Sequence, residues 1–483
     1  MPADPADRSI SGVIDRRGLE SPLLALRREV IGVDERVPVL EGGLRPYVNF
    51  DNAASTPALR PVLSAVEEFL RWYANVHRGT GYKSLLSSRV FEEARDRVAR
   101  FVGADPREDV VLFTKNTTES INHLARRLAF GPDDVVVTTV MEHHSNELPW
   151  RRVARVVHVG LTPEGRVDAA ALERAFVENH GRVRLLAISG ASNVTGYVNP
   201  VHDFARLAHA AGARIFVDAA QLAAHRPIDM RPSSAADHLD FLAFSAHKMY
   251  APFGVGVLVG PRRDFEQGDP DLVGGGTVDI VTLENAYWTD LPDREEAGTP
   301  NIVGVVALGR AIGVLESVGW DAIERHEAEL TARALERLSA IPGVALYGDA
   351  DPGRSRGRLG VIPFNVRGLS HALVAAILSY EWAIGTRSGC FCAHPYVKEI
   401  LHVGAEDAAK LEREILARDR SHVPGAVRAS FGIYNTAEEV DRLAEAVAAI
   451  AAGRFARGYE LDRERGEWTR PGFPFDFEKR FTF

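Results

Sequence analysis

The stretch Phe241-Leu-Ala-Phe-Ser-Ala-His-Lys-Met-Tyr250 decides the fold of this chain. A largely apolar run from Leu239 to Phe244 ends in polar residues, and a Pro-Phe-Gly-Val-Gly turn follows at 252–256. This pattern predicts a buried strand that delivers Lys248 to a loop. Burial disfavours the charged form of lysine, and a neutral amine forms Schiff bases with carbonyls. The alternative is an ordinary surface lysine at a strand end.

A second apolar strand lies just upstream, Ala213-Arg-Ile-Phe-Val-Asp218, and Gln221 follows it. A lysine and an acid at the ends of two nearby strands are what a pyridoxal phosphate (PLP) site needs. The lysine holds the cofactor aldehyde, and the acid pairs with the pyridinium nitrogen. The pair therefore favours the cofactor interpretation of Lys248.

Composition narrows the class of protein. The chain has 483 residues, 46% hydrophobic and 25% charged, with a net charge of -9. This is typical of a globular protein with two or more domains, and it argues against nucleic acid or an anionic membrane as the main partner. The only cysteines, Cys390 and Cys392, are too close for a good disulfide, so we expect a reducing, cytoplasmic setting.

Strands alternate with helices through the first half of the chain, which predicts an α/β fold with a mostly parallel sheet. Ligands bind such sheets beyond the carboxyl ends of the strands. Five polar residues fall at predicted strand ends: Thr118, His143, Asn193, Asp218 and Lys248.

Thr117 and Thr118 lie where a strand, 110–113, gives way to a helix. Hydroxyls and free backbone N–H groups at a helix N-terminus are a natural phosphate site. The alternative is that the threonines only cap the helix.

A shift in composition near residue 300 predicts a boundary between a large domain, which would bind PLP, and a smaller domain whose strands and helices indicate an α+β class. A glycine run at 274–276 lacks the spacing of a dinucleotide fingerprint. Thr436 and Glu439 predict a capping box. The expected divisions are an N-terminal segment packing with the small domain (1–45), the large domain (46–300), the small domain (301–454) with an inserted helical segment (396–426), and an aromatic tail (455–483).

Several short motifs in consistent order resemble the class V, fold type I PLP enzymes, specifically the cysteine desulfurase and selenocysteine lyase group. They include Met141-Glu-His-His144, Val217-Asp-Ala-Ala-Gln221, Ser245-Ala-His-Lys248, Glu296-Ala-Gly-Thr-Pro-Asn301, Arg387-Ser-Gly-Cys-Phe-Cys-Ala393 and Arg428-Ala-Ser-Phe-Gly-Ile-Tyr-Asn-Thr436. The resemblance spans roughly residues 45 to 455.

The resemblance implies a role for each cofactor residue. Lys248 would hold the cofactor and move protons, Asp218 would hold the pyridinium nitrogen, and Gln221 the ring oxygen. His143 would stack on the ring. The remaining cofactor contacts would come from Thr117, Thr118, Asn193, Ser245, His247 and, from a partner subunit, Thr299, so the resemblance implies a homodimer.

On the substrate side, the resemblance implies that Asn193 and Arg428 hold the carboxylate and that Arg387 lies near the nucleophile. His77 would lie at the site mouth. Ala54 belongs to a small-residue turn, which would let a ligand approach the backbone but is also common in plain loops. Cys392 aligns with the family's nucleophile. Its thiolate would attack the substrate sulfur and leave a persulfide and alanine, with a sulfur-acceptor protein as a further candidate partner.

Two departures from the family pattern bear on the substrate. Cys390 adds a second thiol, which is either a buried apolar residue or a resolving thiol. A zinc site built on these cysteines lacks paired CxxC spacing, and the sequence predicts no metal. The 396–426 segment is a long insertion of the kind that forms lids or binding surfaces.

Other functions compete with the desulfurase interpretation. A related lyase would cleave selenocysteine or a cysteine conjugate without a persulfide, and Cys392 argues against it. A non-enzymatic interaction protein is opposed by the intact set of Lys248, Asp218 and Arg428. A nicotinamide dehydrogenase shares the fold class but lacks its fingerprint.

Overall fold

The computed structural model of this protein describes residues 22–483. The helices are α1 (Pro22–Arg28), α2 (Arg60–Leu70), α3 (Tyr82–Val102), α4 (Thr117–Arg127), α5 (Ala169–Glu178), α6 (Val201–Ala210), α7 (Arg262–Glu266), α8 (Ile302–Val318), α9 (Trp320–Ser339), α10 (His371–Trp382), α11 (His394–Ile400), α12 (Ala405–Leu416), α13 (Ala437–Ala451) and α14 (Phe477–Arg480).

The strands are β1 (Arg36–Pro38), β2 (Leu44–Pro46), β3 (Val48–Asn49), β4 (Asp109–Thr114), β5 (Val135–Thr139), β6 (Arg155–Val159), β7 (Val183–Ser189), β8 (Arg214–Asp218), β9 (Phe241–Ser245), β10 (Gly256–Pro261), β11 (Val278–Val281), β12 (Ala286–Trp288), β13 (Val344–Leu346), β14 (Val361–Val366), β15 (Ile384–Gly385), β16 (Arg387–Gly389), β17 (Ala426–Ser430), β18 (Glu460–Asp462) and β19 (Glu467–Thr469).

The chain forms two compact units that are not contiguous in sequence. Of the described residues, the first comprises 22–31, 55–192 and 197–324, and the second comprises 32–54, 193–196 and 325–483. Part of the segment expected at 1–45 thus groups with the first unit and part with the second. The rest of that segment, residues 1–21, lies outside the described residues.

The first unit is built on a seven-stranded sheet in the order β4-β10-β9-β8-β7-β5-β6. The pairs from β9 to β6 are parallel, whereas β10 runs antiparallel to both β4 and β9. The predicted α/β class with a mostly parallel sheet is therefore confirmed. Apolar residues of the central strands and of α4 form its core, among them Leu185, Phe216, Phe241 and Leu258.

The second unit is α+β. Its main sheet has the order β13-β14-β17-β16, and α9, α10 and α13 contribute apolar side chains to its core. Helix α13 begins at the predicted capping box, in which Thr436 accepts from the Glu439 N–H and the Glu439 carboxylate accepts from the Thr436 N–H. In the tail, Phe473 packs edge-on against Tyr380, with the ring centroids 4.8 Å apart.

Two helix ends have a clear local cause. Helices α8 and α9 are separate, because Gly319 adopts a left-handed φ of 87° between them. Helix α2 ends at Leu70, and the chain beyond it turns so that the Ala74 N–H donates to the Ser87 hydroxyl. Among residues 22–483 no single helix is long and apolar enough to cross a membrane, and one pair of successive helices passes that test only when counted together.

Candidate active site

Lys248 and Asp218 lie at the same edge of the first unit's sheet. Strand β9 is buried along its whole length and leads into a short 3₁₀ turn, Ala246–Lys248, which leaves Lys248 half-buried. Strand β8 runs parallel to β9, with Asp218 opposite Ala243. Burial raises the pKa of Asp218, while the hydrogen bond from the Ala220 N–H (2.9 Å) and the positive charge of Lys248 oppose that shift. The sheet therefore brings together the predicted lysine and acid.

The N-terminus of α4 opens at this edge beside Ser245. The helix cap is Asn116, whose side chain accepts from the Glu119 N–H, so the interpretation of the threonines as caps is wrong. Thr117 is instead the first residue of the helix. Its N–H donates to the Ser245 Oγ at 2.8 Å, and its own hydroxyl lies 2.6 Å from the same oxygen. Hydroxyls gathered at the positive end of a helix suit a phosphate group.

Gly256 is needed because β10 passes directly under this turn. A Cβ at Gly256 would lie 2.4 Å from the carbonyl carbon of Asn116, closer than any side chain tolerates. The glycine thus lets the backbone of β10 support the start of α4.

Thr118 and His247 complete this group. Thr118 is exposed, and its hydroxyl lies 2.7 Å from that of Ser145. Burial, helped by the adjacent positive charge of Lys248, lowers the pKa of His247 to about 4. His247 is therefore neutral at physiological pH and can donate one N–H to a phosphate.

His143 and Gln221 lie on loops that follow β5 and β8. Gln221 is buried and His143 is half-buried. His143 Nδ1 accepts from the Ser145 N–H at 3.1 Å, which fixes the ring and places the ring hydrogen on Nε2. A fixed, half-buried imidazole suits the predicted stacking on a cofactor ring.

Glu142, the neighbour of His143, is a buried carboxyl that sequence reasoning missed. It accepts hydrogen bonds from Thr139, Asn146 and Ser189. Burial nevertheless raises its pKa to about 7. The apolar surroundings of β5 are the signal that could have identified it as unusual.

His77 and Thr299 line one cleft of about 290 Å³ in the first unit. His77 has a left-handed φ of 70°, and its Nδ1 lies 3.6 Å from an oxygen of Asp293. Thr299 is exposed.

The second unit gathers the predicted substrate residues around Arg428. This side chain is 3% exposed, and its Nη1 donates to the Asn193 carbonyl at 2.9 Å. Its Nη2 pairs with Asp51 at 2.8 Å, while its buried Nε lacks a hydrogen-bond partner within residues 22–483. Burial lowers the pKa of Arg428, and Asp51 opposes the shift. Arg428 is therefore a held guanidinium whose Nε donor is unused, as a carboxylate site requires.

Asp51 is the residue of this group that the sequence did not reveal. One oxygen pairs with Arg428, and the other lies 3.5 Å from Arg387, which stands directly opposite Arg428 on the neighbouring strand. Ala54 follows in the same turn, with its N–H donating to the Asp51 carbonyl at 3.1 Å. Asp51 and its two arginines lie more than 330 residues apart in the chain, so no local pattern links them.

The cysteine loop is anchored by the residue between its two thiols. The Phe391 ring packs against the Arg428 guanidinium at 4.9 Å, and its carbonyl accepts from the Asn193 side chain at 2.7 Å. Phe391 and Cys392 both adopt left-handed backbone, with φ of 52° and 55°. This conformation leaves Cys392 exposed and Cys390 buried.

Cys390 points away from solvent toward the inserted segment. Its Sγ donates to the Pro424 carbonyl at 3.0 Å, and burial raises its pKa to about 11. A cavity of about 180 Å³ beside it is lined by residues of α11 and α12, including Lys398 and Glu412. The insertion therefore carries its own helix, as expected, and that helix lines the cavity beside Cys390. A thiol with so high a pKa is a poor nucleophile.

The residues at the sheet edge fit PLP. They offer an amine for its aldehyde, a buried carboxyl for its ring nitrogen, an imidazole for its ring face, and hydroxyls at a helix N-terminus for its phosphate. A parallel sheet that carries this set beyond its carboxyl edge defines a fold type I PLP-dependent enzyme.

Comparison with known proteins is consistent with this class. Residues 48–443 match the family model described as aminotransferase class-V. A probable cysteine desulfurase of Halalkalibacterium halodurans is 36% identical over 84% of this chain and 94% of its own length. A cysteine desulfurase of Haloferax volcanii is 36% identical over 83% of this chain and 89% of its own length.

Solved structures agree. The apo cysteine desulfurase of Thermococcus onnurineus superposes with a TM-score of 0.73 at 35% identity, covering 84% of this chain and 95% of that one. The cysteine desulfurase CsdA of Escherichia coli superposes with a TM-score of 0.70 at 31% identity, covering 85% of this chain and 96% of that one. The chain belongs to the class-V aminotransferase family and, within it, to the cysteine desulfurase group. The family prediction is confirmed, and the dehydrogenase alternative is wrong.

Proposed function

We propose that this enzyme converts L-cysteine to L-alanine and passes the sulfur through a persulfide on Cys392. The observation that carries the proposal is the cysteine loop, where Cys392 is exposed and its neighbour Phe391 is anchored to Arg428 and Asn193. Relatives that cover most of this chain are named cysteine desulfurases.

Each residue has a distinct task in this proposal. Bound PLP supplies an electron sink for negative charge at the substrate Cα. Lys248 takes and returns protons at that carbon, and Asp218 keeps the ring nitrogen protonated. Arg428 binds the substrate carboxylate, for which its unused Nε donor is suited.

The Cys392 thiolate is the sulfur acceptor. As it attacks the substrate sulfur, an S–S bond forms and the C–S bond breaks, and the electron pair of that bond is protonated on carbon to give alanine. The persulfide then needs a thiol to remove its outer sulfur, so we propose a sulfur-acceptor protein as partner.

We further propose that the enzyme works as a homodimer in the cytoplasm. Thr299 would reach the phosphate of the partner's cofactor, for which its exposed position is suited. Both cysteines are free thiols, which is the state expected in a reducing compartment.

Replacement of each thiol in turn tests the route of sulfur. With ³⁵S-cysteine as substrate, the wild-type protein should retain reducible label and release alanine in equal amount. Cys392→Ala should lose both, since no thiolate remains to take the sulfur. Cys390→Ser is the matched control and should retain both, because its thiol is buried with a raised pKa.

Two results would count against the proposal. Full alanine production by Cys392→Ala would indicate the lyase alternative, which needs no persulfide. If Cys392→Ala retains the label and Cys390→Ser does not, the nucleophile is Cys390 instead. Selenocysteine and substituted cysteines tried with the same three proteins would define the substrate.

A further inference from the structure

Two histidines and an aspartate cluster at the opposite edge of the first unit's sheet, away from Lys248. Asp240 immediately precedes β9, whose other end leads to Lys248. His209 lies in the last turn of α6, and His238 lies in the loop before Asp240. Their ligand atoms all lie within 4.8 Å of one another. Nothing in the proposed reaction uses them.

The hydrogen bonds of the two rings determine where their hydrogens lie. His209 Nδ1 is 2.8 Å from the Ala236 carbonyl, and His238 Nδ1 is 2.6 Å from the Ala235 carbonyl. A carbonyl oxygen only accepts, so both Nδ1 atoms carry hydrogen. In a neutral ring this leaves the lone pair on Nε2.

Both Nε2 atoms face the carboxylate of Asp240. His209 Nε2 lies 2.9 Å from Oδ2, and His238 Nε2 lies 3.4 Å from Oδ1. In neutral rings both lone pairs would therefore face the carboxylate, which is unfavourable unless a metal ion or a proton lies between them. Two protons would create two stacked imidazolium ions, because the ring centroids are 4.3 Å apart. One divalent cation satisfies both rings at once.

The surroundings are those of a metal site. Histidine ligands commonly donate their other N–H to a backbone carbonyl, as both rings do here. Asp240 is 5% exposed and is fixed by the Ile215 N–H at 2.9 Å. Arg206 and Arg231 both pair with Asp237, which offsets their charge.

A cleft of about 400 Å³ leaves room beside the cluster. His238, Asp240 and Asp109 are among the residues that line it. Water could occupy the remaining coordination positions from this side, as metal ions with three protein ligands require.

We propose that His209, His238 and Asp240 bind a divalent metal ion of the zinc class. The ion joins the end of α6 to the start of β9, the strand that delivers Lys248, and so acts as a structural clip. This site differs from the cysteine-based zinc site that the sequence excludes. The only local signal for it is a His-x-Asp pair directly before an apolar strand.

Metal uptake by the PLP-loaded protein tests the proposal. The parent carries Cys390→Ser and Cys392→Ala, so that thiols cannot bind the ion. Zn²⁺ and Co²⁺ are titrated with elemental analysis and visible absorbance as readouts. We expect one ion per chain and a raised midpoint of thermal unfolding.

His238→Gln and Asp240→Asn should each weaken metal binding by about 100-fold or more. Loss of a metal ligand costs at least as much affinity as loss of the hydrogen-bond partner that orients a ligand. His202→Gln is the matched control, because His202 also lies on α6 and bonds a backbone carbonyl, that of Asp237, at 2.8 Å but is outside the cluster. It should bind the ion as the parent does.

No uptake by the parent at micromolar metal would overturn the proposal and leave a proton between His209 and Asp240. Unchanged binding in His238→Gln would also overturn it. If the variants do not fold, X-ray absorption of the zinc-loaded parent decides. Two imidazole nitrogens around zinc support the site, and a shell without imidazole contradicts it.

Discussion

At the scale of single residues, Asp51 controls how the buried arginine is held. Its carboxylate pairs with Arg428, which is 3% exposed, and faces Arg387. Asp441 in the same unit is a matched comparison, because it also faces two arginines, Arg333 and Arg337. The Asp441 side chain is 25% exposed and that of Asp51 is 23% exposed. The difference is that Arg333 is 45% exposed.

We expect Asp51→Asn to lower the free energy of unfolding by about 1–3 kcal/mol, because it weakens the pairing of a buried charge. Asp441→Asn should cost less than about 1 kcal/mol, since water solvates its arginine. Denaturant unfolding of the two variants measures the difference. Asp51→Asn should also raise the KM for cysteine, because Arg428 loses its orientation. Equal costs for the two substitutions would show that Asp51 does not stabilise Arg428.

Glu142 makes stability depend on pH. Its pKa is raised from 4.5 to about 7 by burial, so between those values the folded protein keeps a proton that the unfolded chain releases. Stability supplied by this group is therefore fully present below about pH 4.5 and is lost as pH rises toward about 7. The loss amounts to about 3 kcal/mol.

Glu142→Gln should flatten this dependence, because the amide stays neutral. The free energies of unfolding of the wild type and the variant are measured from pH 5 to pH 8. The two values should be similar at low pH, and the variant should be the more stable protein at high pH. Glu173→Gln, on the exposed face of α5, is the control and should follow the wild type. Parallel curves for Glu142→Gln and wild type would show that Glu142 does not titrate in this range.

At the scale of elements, the strands that carry the site were readable from sequence and the cysteine loop was not. Apolar runs that end in a polar residue predicted β8 and β9. A strand of a parallel sheet is buried on both faces, so its residues are apolar almost without interruption. The loop depends instead on left-handed backbone at Phe391 and Cys392, which costs non-glycine residues energy and is held by contacts with Arg428 and Asn193. Local sequence contains none of those partners.

Strand β10 gives a prediction at this scale. Gly256→Ala would place a methyl group 2.4 Å from Asn116, so the start of α4 must shift. We expect cofactor affinity to fall by about tenfold or more, which is the loss of one good hydrogen bond to a charged group. Titration of the apoprotein with PLP measures this. Gly160→Ala, in the same unit with nothing within 4 Å of its added Cβ, should bind PLP as the wild type does. Equal affinities would show that α4 does not need this close approach.

At the scale of the whole molecule, the division into units could not be read along the chain. Composition placed a boundary near residue 300, where Ala, Leu, Glu and Arg become more frequent. The short segments 32–54 and 193–196 nevertheless belong to the second unit. They join it through distant partners, such as the parallel pairing of Val48 with Ile384 and the contact of Asn193 with Arg428. Four residues carry no periodicity, so only the folded chain reveals where they belong.

The proposed dimer makes the last prediction. If Thr299 serves the partner's cofactor, Thr299→Ala should weaken PLP binding by about tenfold through the loss of one hydrogen bond to phosphate. A mixed dimer of one Lys248→Ala subunit and one Thr299→Ala subunit would then hold both defects in one site and neither in the other. Its intact site should bind PLP with wild-type affinity and retain about half of the wild-type dimer's activity.

The mixed dimer is isolated with a different tag on each subunit, and PLP affinity is read from the absorbance of the Schiff base, which only the site with Lys248 can form. If Thr299 instead serves its own subunit, the only Lys248 left in the mixed dimer lies in a site without Thr299. Its PLP affinity would then equal that of the Thr299→Ala homodimer, and its activity would be about half of that homodimer's, because only one of its two sites keeps Lys248. Sedimentation of the wild-type protein as a monomer would exclude the proposed arrangement, because no partner would be present to supply Thr299.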